Sequence, residues 1–281
     1  MMTLKEQCRT RDLKVGHFIV EFVTPGIGHI CRNAGCDFVF LDMEHSAFGF
    51  ETVKSALRYF EAAGVPTMVR PPSKEVHHIA RTLDAGAEGI VLPMVNSAGE
   101  AAGLIDAAHY APAGSRGVAL GIAHDNYRAP VDVMESLSAA NRRTTFIPII
   151  ETASGVDDVE AIAALDGVDA LWIGHFDLSC SLGIPGEFGH AKFIEAVEAV
   201  KAAGKKAGKS VGRLVPTAEQ GVALYHEGFD FICYSGDVWV LGEGIRRGLD
   251  AVRAGAAASP PAAAADAPAA KPKTTRRRKA G

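Results

Sequence analysis

The sequence predicts a single-domain α/β fold, a (β/α)8 barrel, followed by a tail outside the fold. Two observations carry that expectation: eight short apolar runs and the helical patterns between them. The runs are HFIVEF (17–22), DFVFLD (37–42), PTMVR (66–70), EGIVLP (88–93), TFIPIIE (145–151), DALWIG (169–174), KSVGRLV (209–215) and DFICYS (230–235). Most are continuously apolar, as parallel strands covered on both faces require. Between them lie FETVKSALRYFEAAG, SKEVHHIARTLDAGA, SGVDDVEAIAALDG and HAKFIEAVEAVKAAGKKAG. These have helical spacing, and several end in the glycine that stops a helix. Eight such units in roughly 250 residues fit a closed barrel. An open doubly wound sheet shares the periodicity, which says nothing of closure. Neither GxGxxG after the first strand nor GxxxxGK[ST] occurs, so the usual nucleotide cradles are missing. Segment 94–144 is too long for one unit. It holds a helical pattern near 97–109 and then YAPAGSRGVALGIAHDNYRAP, which reads as a functional or interface loop.

Composition narrows the function classes. With 281 residues, 48% of them hydrophobic, the chain can bury a large core. No apolar run approaches the roughly 18 residues that span a bilayer, and the polar start MMTLKEQCRTRDLK does not read as a secretory signal. Five scattered cysteines without a CxxC pair suit reduced thiols in a cytoplasm. The net charge of −4 is divided: residues 256–281 carry six Lys/Arg and one Asp, +5, leaving −9 on the rest. An acidic body argues against a nucleic-acid-binding domain. The expected organisation is a barrel over 1–255 and a disordered, low-complexity basic tail over 256–281. The RRRK in that tail is the one element suited to nucleic acid or an acidic surface; an inert solvated extension is the simpler reading.

In a barrel, the residues at the C-terminal ends of the strands build the active site. After strand two come Asp42, Glu44 and His45; strand three ends at Arg70; strand five ends at Glu151. Strand six runs through Gly174, His175 and Phe176 to Asp177, and strand seven carries Arg213 and Leu214. Structural roles fit the same residues singly. Glu151 and Asp177 suit helix starts, Arg70 suits an ion pair, and His45 suits a loop. Glu44 reads as structural. Glu151 and Asp177 are hard oxygen donors without nearby cysteine ligands, which suits Mg2+ or Mn2+ and leaves positions open for water and substrate.

At these residues the sequence resembles the hydroxyketoacid aldolase family of class II pyruvate aldolases, within the phosphoenolpyruvate/pyruvate barrel superfamily. That family includes 2,4-dihydroxyhept-2-enedioate, 2-dehydro-3-deoxyglucarate and 2-keto-3-deoxy-L-rhamnonate aldolases. The resemblance runs over about residues 4–253 and is carried by FVFLDMEHSAFGFET, MVRPP, AGAEGIVLPMVNSAGEA, APAGSRGV, IIET and LWIGHFDLSCSLGIPG. It implies a divalent ion (Mg2+ or Mn2+, with Co2+ a third candidate) on Glu151 and Asp177, chelating the ketone and carboxylate of pyruvate. It further implies Arg70 on the enolate oxygen, His45 as the base for the C4 hydroxyl with Asp42 orienting it, and backbone amides near Gly174–Asp177 on the carboxylate. The implied reaction cleaves a 4-hydroxy-2-oxoacid to pyruvate, or a close analogue, and an aldehyde. Oxaloacetate decarboxylation, C–C ligation, and a barrel that binds a 2-oxoacid without turnover are the alternatives. A homohexamer with helices exchanged between neighbours is also implied.

Three departures from the family pattern stand out. Ile149 replaces a glutamine two residues before Glu151, and His175 and Phe176 replace a proline and a small residue. The loop after SRG reads VALGIAHDNY in place of an arginine-bearing segment. They put the aldehyde partner in doubt and leave the enolate machinery intact.

Overall fold

The computed structural model describes residues 2–258. Eight parallel strands close into a barrel in sequence order. They are β1 (Lys14–Ile19), β2 (Phe38–Asp42), β3 (Thr67–Arg70) and β4 (Gly89–Leu92), then β5 (Thr145–Ile150), β6 (Ala170–Ile173), β7 (Ser210–Val215) and β8 (Phe231–Gly236). All eight expected runs become strands. The first begins earlier and ends sooner than its apolar run: Lys14 registers with Phe231 at one end. At the other, the N–H groups of Val20, Glu21 and Phe22 leave the sheet and donate to the Asp237 carboxylate at 3.2, 2.9 and 2.7 Å.

The helices are α1 (Leu4–Gln7), α2 (Ile27–Asn33), α3 (Phe50–Ala63), α4 (Val76–Asp84), α5 (Ala98–Ala108) and α6 (Val133–Arg143). They continue with α7 (Ala153–Asp157), α8 (Val159–Ala163), α9 (His175–Ser181), α10 (Ala191–Ala207), α11 (Ala218–His226) and α12 (Asp237–Ala258). Gly64 and Gly208 end α3 and α10 with φ of 68°, where a β-carbon would be strained. Helix α6 follows the stretch read from sequence as irregular, which ends at Pro130, and was not expected. Its weak apolar pattern is compensated locally, because Asn141 exchanges two 2.8 Å hydrogen bonds with the Tyr110 backbone.

The barrel interior is filled by Phe18, Phe38, Phe40, Met68, Ile147, Ile149, Trp172 and Phe231. Leu4, fully buried, closes its N-terminal mouth. Helix α1 is tied there to residues just before four strands: Leu4 N–H to Glu88 (3.3 Å), Lys5 Nζ to Thr144 O (2.7 Å) and Asp169 (3.0 Å), and Gln7 to Asp37 O (2.8 Å). A second apolar layer packs the strands against the surrounding helices. The C-terminal mouth stays open as a cavity.

The chain divides into two compact units after Val240. In the second, α12 continues to Ala258, so residues 256–258, expected in the tail, are helical. Leu241, Ile245, Leu249 and Val252 form an exposed stripe there. The disordered-tail expectation for 259–281 lies outside the described residues. Among the described residues no helix is long and apolar enough to cross a membrane.

Candidate active site

A cavity of about 310 Å3 opens at the C-terminal mouth. Asp42, His45, Arg70, Glu151, Gly174, His175, Phe176, Asp177 and Leu214 all line it. Every residue assigned to the site from sequence is therefore brought to one place.

Asp42 and Arg70 are the last residues of β2 and β3 and are register partners. The guanidinium grips the fully buried carboxylate with both arms, Nε to Oδ1 at 2.7 Å and Nη2 to Oδ2 at 2.8 Å. Its third nitrogen, Nη1, stands 3.0 Å from Glu44 Oε2. Burial disfavours the cation, but the hydrogen bonds and charge of Asp42 outweigh it and hold Arg70 above its ordinary pKa.

The expected contact between Asp42 and the His45 ring is not formed. The Asp42 oxygens are occupied by Arg70 and by the backbone N–H groups of Glu44 (3.0 Å) and His45 (3.3 Å). Asp42 thus shapes the loop that carries His45 and leaves the imidazole alone. That ring is 64% exposed at the rim, with Nε2 3.8 Å from Glu44 Oε2. Glu44, read as structural, is the carboxylate shared between Arg70 and His45.

Across the cavity, Glu151 follows β5 and is 2% exposed. Its Oε1 accepts the Met94 N–H at 2.6 Å, a donor aimed by the left-handed backbone of Met94 (φ 53°). Its other oxygen packs on the Gly174 α-carbon, where a β-carbon would overlap the carboxylate. Burial first, then the Asp177 carboxylate, push Glu151 up to about 7 against the Met94 hydrogen bond and Arg70. Asp177 sits exposed in the first turn of α9. Beside it His175 is packed against Phe176 (4.5 Å) and Phe188 (5.3 Å). Burial, and then the Arg213 charge, lower His175 to about 4. Arg213 itself points away from the cavity, its guanidinium over Phe188 and Phe193 at 5.8 and 5.5 Å.

The donor set suits a hard divalent cation. Two carboxylates face one cavity, and the Asp177 charge raises the cost of ionising Glu151, a repulsion that a cation between them would reverse. Among the described residues no group of three or more His, Cys, Asp or Glu is placed to hold an ion. Glu151 and Asp177 would therefore leave most coordination positions to substrate oxygens and water.

Beyond the expected residues the cavity is lined by Ile149 and Ile173 and by Phe18, Val20, Phe40, Trp172 and Trp239, which sequence reasoning missed. Trp172 could have been found by counting two residues back from Gly174, since alternate strand residues share a face. Trp239 could not, because it lies beyond the last strand and reaches the cavity by stacking on Phe18 at 6.0 Å. None of residues 110–130 lines the cavity.

Residues 19–238 match the HpcH/HpaI aldolase/citrate lyase family. The chain belongs to that family. The hydroxypyruvate/pyruvate aldolase of Paraburkholderia phytofirmans is 36% identical over 228 residues, spanning 79% of this chain and 86% of that one. The 5-keto-4-deoxy-D-glucarate aldolase of Klebsiella pneumoniae is 30% identical over 220 residues, 78% and 85% of the two chains. The crystal structure of an HpcH/HpaI aldolase from Desulfitobacterium hafniense superposes with a TM-score of 0.83 at 31% identity, covering 90% of this chain and 97% of that one. The aldolase resemblance read from DMEH, VRPP, IIET and GHFDLSCSLG thus rests on residues that the fold gathers around one cavity.

Proposed function

We propose that this HpcH/HpaI-family chain is a metal-dependent aldolase that cleaves a 4-hydroxy-2-oxoacid to pyruvate, or a close analogue, and an aldehyde. The observation that carries the reading is one cavity holding a carboxylate pair opposite a buried guanidinium, with an imidazole at its rim. Retro-aldol cleavage moves an electron pair from the breaking C3–C4 bond onto the ketone oxygen. Arg70, fixed by Asp42 and Glu44, supplies positive charge where that enolate forms, without reorganising during the step. A divalent cation held by Glu151 and Asp177 would act as a Lewis acid on the same oxygen.

His45 takes the proton of the C4 hydroxyl, directly or through water. Its exposure leaves it open to substrate and water, and Glu44, 3.8 Å away, stabilises the imidazolium it becomes. The backbone amides at Gly174–Asp177, at the start of α9 where the helix supplies no acceptor, receive the carboxylate. Phe176 and Leu214 contact the remainder of the substrate. Mg2+, Mn2+ and Co2+ all suit the two oxygen donors.

Two exposed apolar surfaces support a homo-oligomer, with a hexamer the form we propose. One is the 241–252 stripe; the other is a groove lined by Leu13, Val15, Val222, Tyr225 and Tyr234. Free cysteines support a reducing, cytoplasmic setting.

The deciding experiment incubates the protein with pyruvate in D2O, with and without EDTA, and follows deuterium at C3. Metal-dependent exchange is expected; none with any divalent ion would end the aldolase reading. A pyruvate-release assay over hydroxy-oxoacids and oxaloacetate then fixes the reaction. Faster consumption of oxaloacetate than of every hydroxy-oxoacid would turn the assignment to a decarboxylase.

A further inference from the structure

The C-terminal end of α2 places two cysteines side by side. Its last helical residue is Asn33; Ala34 follows at φ −74° and ψ −10°, and Gly35 turns left-handed at φ 90°. Both hydrogen bonds of a Schellman stop are present. Gly35 N–H donates to the Arg32 carbonyl at 3.1 Å, and Cys36 N–H donates to the Cys31 carbonyl at 3.0 Å. In such a stop, the side chain two residues past the helix end folds against the one in its last turn, usually as an apolar contact. Here both positions are cysteine.

Cys31 is 4% exposed in the layer between the sheet and α3, together with Leu41, Val53 and Phe60. Cys36 packs against that cluster and is half-buried, the more accessible residue of the pair. The two thiols interact directly. Contact with Cys36, and then burial, push Cys31 up; the Cys31 contact pulls Cys36 below an ordinary thiol, against burial and the Asp37 charge. The backbone bond between the two residues holds their α-carbons at about the 4.4–6.8 Å that a disulfide spans.

We propose that Cys31 and Cys36 are a reversible oxidation site, closing to a disulfide at the α2–β2 corner. The Cys36 thiolate attacks a low-molecular-weight disulfide, forming a mixed disulfide and releasing one small thiol. Cys31 then gives its proton to solvent and attacks the Cys36 sulfur, which breaks the mixed disulfide and releases the second small thiol. Two protein thiols are oxidised and one external disulfide is reduced. The remaining cysteines lack this arrangement: Cys8 and Cys233 are buried, and Cys180 is exposed.

The test equilibrates the reduced full-length protein with glutathione disulfide, alkylates free thiols and digests with trypsin without reductant. Trypsin cuts after Arg32, between the two cysteines. The fragment ending at Arg32 and the one starting at Asn33 then stay joined only through a disulfide. The expected result is that joined pair, two hydrogens lighter than the sum of its parts and separated by dithiothreitol. Cys180 should carry glutathione in the same sample. In Cys31→Ser, Cys36 is expected to keep glutathione; in Cys36→Ser, Cys31 is expected to stay reduced. Separate fragments from the wild type, alkylated or glutathione-bearing, while Cys180 is fully modified, would overturn the proposal.

Discussion

The two ends of the barrel both bury carboxylates and treat them in opposite ways. At the N-terminal end Asp230 accepts from Ser210 Oγ at 3.0 Å and Val211 N–H at 3.1 Å. It is paired with Arg11 at 3.0 Å and Lys14 at 3.4 Å. At the C-terminal end Glu151, equally buried, receives one N–H from Met94 and faces a second carboxylate, Asp177. Burying a charge is tolerable when partners surround it and costly when they do not. The closed end therefore reads as structure, and the open end keeps unbalanced charge where an ion and a substrate would complete it.

The comparison breaks most visibly if one charge is removed at each end. Arg70→Ala should lower metal-dependent pyruvate exchange by about 10²–10³-fold, the cost of losing one preorganised donor to a developing oxyanion. It should also reduce stability by about 3–5 kcal/mol, because Asp42 is left buried and unpaired. Asp230→Asn should destabilise by a similar amount through Lys14, whose side chain is only 3% exposed. Its exchange rate per folded molecule should nevertheless match the wild type. Urea unfolding together with exchange rates on both variants checks this. Equal losses of exchange would erase the distinction between the two ends.

The unbalanced carboxylate should also appear in the pH dependence of the metal-free protein. Glu151 is raised in the fold, from 4.5 to about 7. Below 4.5 both folded and unfolded states hold its proton, and its contribution is intact. As pH rises to about 7 the unfolded state releases the proton first, so folding weakens across that window. The loss is on the order of 3 kcal/mol. Urea unfolding in EDTA at several pH values should show the decline in the wild type and its absence in Glu151→Gln. A decline of the same size in both would assign it to another group.

His45 gives a third and smaller effect. His45→Ala should slow aldol cleavage by about 10²-fold, at the low end for losing a general base, and leave stability nearly unchanged because the ring is largely exposed. Steady-state cleavage rates and thermal unfolding read both. Glu44→Gln distinguishes the two carboxylates near the loop: a fall in cleavage rate here, with folding intact, would mark Glu44 as the acid that supports His45.

What the sequence made legible follows from the same physics. Continuous apolar runs announced every strand, and helical spacing with closing glycines announced about half of the helices, because burial on both faces leaves little choice of residue. The strand-end residues Asp42, Arg70, Glu151 and Asp177 were legible because the barrel sends every such position to one rim. Partner choice was not. Whether Asp42 would hold the His45 ring or the Arg70 fork depends on side-chain direction, and the register of β2 with β3 decides it. Helix α6 was hidden because its apolar face is narrow, and α1 because four residues are too few for periodicity. The aromatic wall was only half visible, since Trp239 arrives from beyond the strands.

The smallest expected effect lies on that wall. The Phe176 ring is 62% exposed and lines the cavity beside His175. Its backbone amide, placed on the substrate carboxylate, survives replacement by alanine. Phe176→Ala should therefore leave pyruvate exchange unchanged while weakening the hold on the aldehyde. Removing a few tens of Å2 of apolar contact is worth about 1 kcal/mol, or roughly a fivefold rise in KM. The rise should be larger for an alkyl or aryl aldehyde than for glycolaldehyde, which offers little apolar surface. Aldol addition of pyruvate to such a pair, measured beside deuterium exchange in the same protein, separates the two halves of the site. A drop in exchange would place the ring against the enolate, and equal KM values for both aldehydes would remove it from the aldehyde side.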